Sequence, residues 1–350
     1  MSTQESLYQQ IREYLEILIA QNQSVPGYRL PSENQLAKRF GSSRIPAKQA
    51  LQQLEAEGLV YRQKGRGTFI ADRDSAVLTT HRHYTFCLML PRMNITMFDE
   101  IAAGIRSVLE QRGDELYIVI TDDDIAKETQ LLRAAINRKF DGILIFPVVN
   151  HTYNDALLEL TLKRFPVIML GRSLPGLKLC CVYSDHYEQA YGGTRYLIER
   201  GHRSIAMLIE AADIASTCAE RIRGYNTCVM EYLGAQAINL AEINFFQSPD
   251  VNGDLNDAID RLMRRKPTAI LTCHQALRHI SDYLHQHHLD VQLLCFDREE
   301  RSAFFHHKPI IIDQNPVEIG RRATELLYAR IEQQAPIQDV VIDYHILDEV

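Results

Sequence analysis

Apolar positions change their period along this chain, and the change divides it. Leu7, Ile11, Tyr14, Leu15, Leu18 and Ile19 recur at helical spacing between Gln, Glu and Arg, which predicts an amphipathic first helix. Pro26-Gly27 closes it with a turn. Ser32 is placed to cap a second helix, with Gln35 completing a capping box; Leu36, Ala37 and Phe40 form its inner face and Gly41 stops it. Ser42 or Ser43 caps a third helix, in which Ala47, Ala50, Leu51 and Leu54 face inward, Pro46 sits in the first turn and Gly58 marks the end. Leu59-Val60-Tyr61-Arg62 and Thr68-Phe69-Ile70 then read as short strands around the basic, glycine-rich turn Gln63-Lys64-Gly65-Arg66-Gly67. Three helices and a basic hairpin predict a winged helix-turn-helix over residues 1–72. Residues 73–83 carry charges and small side chains without a period, and read as a linker.

From Tyr84 the pattern alternates. Short apolar runs begin near Tyr84, Leu116, Asp141, Pro166, Ser204, Thr268 and Val291. Amphipathic stretches such as Phe98–Arg112, Asp124–Lys139, Tyr187–Arg200, Cys218–Leu233 and Gln275–His288 lie between them. Repeated strand–helix units predict an α/β fold with parallel sheets covered on both faces. Residues 84–350 exceed one comfortable doubly wound sheet and suit two lobes. Lobe one is expected over about 84–184 plus 315–338, and lobe two over about 185–314 plus a C-terminal strand.

The length of 350 residues agrees with two or three domains. The longest apolar run, Gly142–Val149, is strand-sized, which excludes a membrane-spanning helix. The N-terminal stretch has acids and glutamines among its apolar residues and lacks a basic start, so a cytoplasmic protein is expected. Seven cysteines without a CxxC spacing, most within apolar runs, are expected as reduced, buried thiols.

Charge sharpens the division. The net charge is −7, yet Arg29–Arg66 holds eight Lys and Arg against three Asp and Glu. A cationic patch on an otherwise acidic chain is a footprint for phosphate. Arg44 and Lys48 stand one turn apart at the start of the third helix, the end of a recognition helix that enters the major groove. Arg44 can form a bidentate fork with guanine, and Lys48 suits a phosphate or a single acceptor. Asn34 and Ser43 can reach phosphates or base edges. Lys64, Gly65 and Arg66 suit an adjacent minor groove or the backbone.

These residues form a set. Pro26–Glu33, Leu36-Ala37, Phe40-Gly41, Ser43-Arg44, Ala50-Leu51, Leu54–Val60 and Gly65–Phe69 resemble the DNA-binding domain of the GntR family, across residues 7–70 without a gap. The resemblance implies binding of double-stranded operator DNA as a homodimer.

Ligands of open α/β sheets sit beyond the carboxyl ends of strands. Phe98, Arg172, Asp185, His274 and Asp297 follow expected strands, and acids with arginines suit a small polyhydroxylated ligand. The Asp122–Asp124 run looks like a helix cap. Ile101–Ile105, Phe140–Ile143, Gly171-Arg172, Leu197–Ala206, Glu220–Tyr225, Pro267–Ile270 and Cys295–Asp297 resemble the effector domain of the LacI/GalR family, which is similar to periplasmic sugar-binding proteins. In that family the Arg three residues before Gly-Tyr, here Arg221, anchors the ligand. The family also implies that Asp297 binds ligand polar groups, and that Phe98, Arg172, Asp185 and Gln314 line the same cleft. His274-Gln275 stands where the family usually has Asn-Asp. A GntR-type domain ahead of such an effector domain resembles the arabinose-responsive repressors.

GxSxG, HExxH, P-loop and GxGxxG patterns are absent, so neither catalytic residues, nor a metal, nor a cofactor is expected. His285–His288 reads as a solvated last helical turn. The expectation is a ligand-gated transcriptional repressor with a small, polar, sugar-like effector. The alternative is a small-molecule-binding protein or enzyme on the same two-lobed fold.

Overall fold

The computed structural model describes residues 7–22, 28–57, 59–63, 66–70, 83–93, 95–148, 154–174, 177–211, 216–243, 250–298, 306–333 and 335–348. The expected turn at Pro26-Gly27, the helix stop at Gly58, the wing residues Lys64 and Gly65, and the linker up to residue 82 lie outside the described residues. The chain divides into two compact units, Met1–Arg82 and His83–Val350.

In the first unit α1 (Leu7–Asn22), α2 (Glu33–Arg39) and α3 (Arg44–Ala56) precede an antiparallel hairpin of β1 (Val60–Gln63) and β2 (Gly67–Ile70). Ile11, Leu15 and Ile19 of α1, Leu36 of α2 and Ala47, Ala50, Leu51 and Leu54 of α3 are buried together. That is the stripe which the helical spacing predicts; Leu7 is the exception, 43% exposed at the first turn. Ser32 and Gln35 form the reciprocal capping box of α2. Gly41 takes φ +58° in open space, so the chain reverses between α2 and α3 without strain. Tyr28 and Leu30 exchange backbone bonds with β2, adding a third segment to the wing.

The second unit holds two six-stranded sheets. The first runs β13 (Val340–Ile342), β7 (Cys180–Ser184), β6 (Val167–Leu170), β5 (Gly142–Ile145), β3 (Thr85–Leu90), β4 (Glu115–Ile120), parallel throughout. Along β3, Phe86, Leu88 and Leu90 face α4 (Thr96–Leu109) and α11 (Pro316–Glu332), while Cys87 and Met89 face α5 (Ile125–Asn137) and α6 (Asp155–Leu162). Period-two alternation thus feeds two cores, one on each face. Gly104 and Gly320 let α4 and α11 cross almost backbone to backbone: a Cβ on Gly104 would meet Val317 O at 2.0 Å.

The second sheet runs β14 (His345–Leu347), β12 (Ile310–Asp313), β11 (Gln292–Cys295), β10 (Ala269–Thr272), β8 (Ile205–Glu210), β9 (Leu240–Ile243); only β14 is antiparallel to its neighbour. α7 (His186–Glu199) and α8 (Ser216–Leu233) cover one face, α9 (Val251–Met263) and α10 (His274–Gln286) the other. The backbone passes between the sheets at Ser184–His186, Asp313–Pro316 and Ile342–His345. β13 belongs to the first sheet although it lies beyond the expected return segment 315–338; a three-residue strand is too short to carry a readable period. All seven cysteines are buried and unbridged.

Candidate functional site

In the first unit α3 presents its N-terminal turn to solvent. Ser43 occupies the N-cap position with no side-chain cap bond, so its hydroxyl remains available. Arg44 and Lys48 are exposed one turn apart, and Asn34 and Arg66 are exposed on α2 and the wing. Arg44 is not an unsupported fork. Its Nη2 donates to Glu33 Oε2 at 3.1 Å, Glu33 Oε1 lies 3.4 Å from Arg62, and Arg62 Nε lies 3.0 Å from Glu55. This chain of ion pairs ties the exposed guanidinium to the wing strand. Ile45, which the charge pattern passes over, is 66% exposed beside Arg44. An apolar side chain there suits a thymine methyl. The expected roles of Lys64 and Gly65 fall on residues that are not described.

In the second unit the expected effector residues gather where strand ends of the two sheets meet. Arg221, on α8, is 6% exposed. Its guanidinium lies 4.0 Å from Asp297 Oδ1, donates to Gln189 Oε1 at 3.5 Å, and stands 4.5 Å above the Phe296 ring. Asp297 follows β11. Gln314, following β12, donates to Asp297 Oδ1 at 2.7 Å and to Phe296 O at 3.1 Å. His274, the first residue of α10, has Nδ1 3.5 Å from Asp297 Oδ2. Burial opposes ionisation of Asp297, but the His274 hydrogen bond and the positive field of Arg221 outweigh it and hold the carboxyl well below the usual range.

From lobe one, Gly171 ends β6 at φ +69°, and the chain there approaches Phe146 so closely that a Cβ would lie 2.3 Å from its ring. Arg172 then lays its guanidinium 4.4 Å above that ring. Burial lowers its pKa to about 10, so it remains a cation at neutral pH. His186 ties the lobes: Nε2 bonds Gly171 O at 2.9 Å and Nδ1 lies 3.3 Å from Gln189 Oε1. Burial first, then the Arg221 charge, holds this imidazole down to about 4, so it is neutral at pH 7.

The remaining expected residues have other contacts. Asp185 caps α7, its Oδ1 accepting from Tyr187 N and Glu188 N, which leaves Oδ2 outside the cap. Phe98 is buried, edge-on to Phe146 at 4.9 Å; the ring face beside Arg172 belongs to Phe146. His186, Gln189 and Phe146 were not singled out from the sequence. The only available signal was their place just after strands or one helical turn beyond. Around these strand ends the Nε atoms of Arg172 and Arg221, Gln189 Nε2, Ser184 Oγ and Gln275 Oε1 are buried without a hydrogen-bond partner. Unsatisfied polar atoms from both lobes are thus concentrated around one cleft. At one mouth of the cleft Arg298 pairs with Asp313 at 2.9 Å and reaches Glu100 of the opposite lobe at 3.7 Å. The free volume there is about 10 Å³, room for one water.

Comparisons place this geometry among known proteins. Residues 7–70 match the model of bacterial regulatory proteins of the gntR family. Residues 83–343 match that of periplasmic binding proteins and the sugar-binding domain of the LacI family. The arabinose metabolism transcriptional repressor of Halalkalibacterium halodurans is 24% identical over 94% of this chain and 90% of that protein. The HTH-type transcriptional repressor PurR of Aliivibrio fischeri strain ES114 is 26% identical over 68% of this chain and 71% of its own length. Among solved structures, a putative ribose operon repressor from Burkholderia thailandensis superposes with a TM-score of 0.65 at 23% identity, covering 76% of this chain and 99% of that one. The trehalose repressor of Escherichia coli gives 0.64 at 16% identity, with 75% and 99% covered. Among the described residues no helix is long and apolar enough to cross a membrane, and no group of three His, Cys, Asp or Glu could hold a metal.

Proposed function

The chain belongs to the LacI-type periplasmic-binding-protein family and carries a GntR-family domain ahead of it, and from that premise we propose that it is a transcriptional repressor whose hold on operator DNA is released by a small sugar-like effector bound between its lobes. In this reading residues 1–72 grip DNA, 73–83 link, and 84–350 sense the effector. Two copies place two third helices and two wings on a palindromic site with half-sites about one helical turn apart. Arg44 reads a base, with Glu33 holding its fork in register. Lys48, Lys64 and Arg66 contact phosphate. Arg221, Asp297, His274 and Gln314 supply a donor–acceptor array from lobe two, and Arg172 faces it from lobe one. Effector binding shifts operator affinity only as far as it favours one lobe arrangement over the other. The work is equilibrium binding in the cytoplasm, without a chemical step.

One observation carries the reading. A single chain has exposed Arg44 and Lys48 on a third helix and, in a separate unit, a buried Arg221 facing Asp297 at the strand ends of two mainly parallel sheets. The test is a gel shift with duplexes from the chain's own promoter region, with and without added sugars. Three phosphate-contacting cations per copy imply about a thousandfold loss of affinity between 50 and 200 mM salt. Binding no tighter than to random duplex overturns the proposal.

A further inference from the structure

Charge is unevenly satisfied across the cleft. On the lobe-two side Arg221 has a counter-ion, Asp297 at 4.0 Å. That carboxylate is already shared, since Gln314 donates to Oδ1 and His274 lies against Oδ2. On the lobe-one side the Arg172 guanidinium has none in contact: it forms no ion pair with a described residue, the carboxylates of Asp123 and Glu128 act on it only through space, and its Nε is buried without a hydrogen-bond partner. Glu128, a buried carboxylate of the same lobe, lends Arg172 its field but no contact: Oε2 accepts from Val148 N at 2.7 Å and Oε1 from Asn154 Nδ2 at 2.7 Å. His186 sits between the two arginines, bonded to Gly171 O and near Gln189, and adds no negative charge.

A guanidinium taken out of water needs an opposite charge or dense hydrogen bonding, and the Phe146 face supplies only part of that. The unpartnered donors of Arg172, Arg221 and Gln189 are planar N–H groups suited to an oxyanion. Neutral hydroxyls could fill the hydrogen bonds, but they cannot neutralise Arg172. We propose that the effector is a sugar derivative carrying an oxyanion, a phosphate or a carboxylate, whose charge pairs with Arg172 while its hydroxyls engage Asp297 and Gln314. The inference rests on the sugar-cleft reading above. It adds the sign of the ligand's charge and assigns that charge to one side chain. The depressed pKa of Arg172 agrees with it, because the opposite charge of a bound anion would offset the desolvation that lowers it.

The test uses the full chain in a thermal-shift assay, followed by calorimetry on hits. The panel pairs neutral sugars with their charged forms: glucose with glucose 6-phosphate, gluconate and glucuronate; arabinose and ribose with their 5-phosphates; and inorganic phosphate alone. The expected result is that a phosphate or acid binds at least tenfold more tightly than its neutral parent, and that Arg172→Met removes that advantage. Which charged form responds distinguishes phosphate from carboxylate. Without ligand, Arg172→Met should melt no lower than the parent, because a partly buried cation with no contacting counter-ion has been removed. A neutral sugar that binds as well as its charged form overturns the proposal and leaves the sugar-cleft reading standing. So does a charged sugar whose advantage survives in Arg172→Met. Inorganic phosphate binding as tightly as any sugar phosphate also overturns it. A panel with no response at all counts against the sugar-cleft reading itself.

Discussion

His186 should make the two-lobed unit lose stability below neutral pH. The side chain is 8% exposed, and burial together with the Arg221 charge holds its folded-state pKa down to about 4, against an ordinary 6.5. Above pH 6.5 it is neutral in both states and contributes nothing to the pH dependence. As pH falls through 6.5 the unfolded chain takes up a proton that the folded chain refuses, so stability falls until the folded imidazole also titrates near pH 4. Each pH unit inside that window is worth about 1.4 kcal/mol. From pH 7.5 to pH 5.0 the loss is therefore about 2 kcal/mol, and over the whole window about 3 kcal/mol. Asp297 acts in a lower window: its depressed pKa stabilises the fold above the ordinary carboxylate range and is lost only in stronger acid.

The assay is urea unfolding followed by far-UV circular dichroism at pH 7.5 and 5.0, since the chain has no tryptophan to report by fluorescence. The comparison is with His186→Gln, which cannot titrate but can still donate to Gly171 O. Because the twelve other histidines are the same in both proteins, the difference between the two pH slopes isolates His186. The variant should lose about 2 kcal/mol less than the parent over this interval. Equal losses would show that His186 titrates normally in the fold, and the account of a neutral imidazole between two arginines would be wrong.

Arg44→Ala should cost about 1–3 kcal/mol at one base position of the operator, read by gel shift on a set of single-base variants, whereas Lys48→Ala should weaken all duplexes alike and lower the salt slope by about one. Equal loss on every sequence for Arg44→Ala would make it a phosphate contact. Arg221→Ala should abolish release of DNA by the effector while leaving operator affinity unchanged, since it lies in a separate unit from α3; a fully responsive variant refutes its place in the site. Gly104→Ala should destabilise the second unit by about 2–3 kcal/mol, measured by urea unfolding, because its methyl would fall 2.0 Å from Val317 O and α4 and α11 would have to separate.

The sequence was most readable where one periodicity dominated. GILI, VIML and AILT are buried on both faces and are apolar but for the final Thr272, so β5, β6 and β10 stand out. β9 does not: Glu242 points to solvent in an edge strand whose sequence LAEI is equally compatible with a helix. α9 is hidden by Asn252, Gly253 and Asn256, poor helix formers, although Leu255, Ala258, Ile259 and Leu262 form a buried stripe. The same distinction holds for the site. Arg221 and Asp297 were visible through the motifs around them. His186 was not, because its meaning comes from a carbonyl fifteen residues away and a charge on another helix. Arg172 was visible as a residue, but its lack of a counter-ion appears only when the surrounding side chains are in place.

The position of the site relative to the lobe crossings explains how a small ligand could bias a large movement. The chain passes between the sheets at Ser184–His186, Asp313–Pro316 and Ile342–His345. Two of these passages carry the site's own residues: His186 follows directly on the first, and Gln314 lies within the second beside Asn315, which takes φ +56°. A change of lobe angle must be absorbed in these few residues, and it therefore alters the very contacts that Gln314 makes with Asp297 and His186 makes with Gly171. In the proposed reading, ligand contacts and hinge contacts are then the same contacts. The effector needs no separate transmission path within the unit, because its binding free energy differs between the two angles by whatever those shared bonds gain or lose. The Arg298–Glu100 ion pair also bridges the lobes from outside the site, but at 3.7 Å, with both side chains partly exposed, it is worth at most about 1 kcal/mol. In the proposed reading, a ligand charge that pairs with Arg172 acts on the lobe angle from inside the cleft, where the contacts at the lobe crossings also lie.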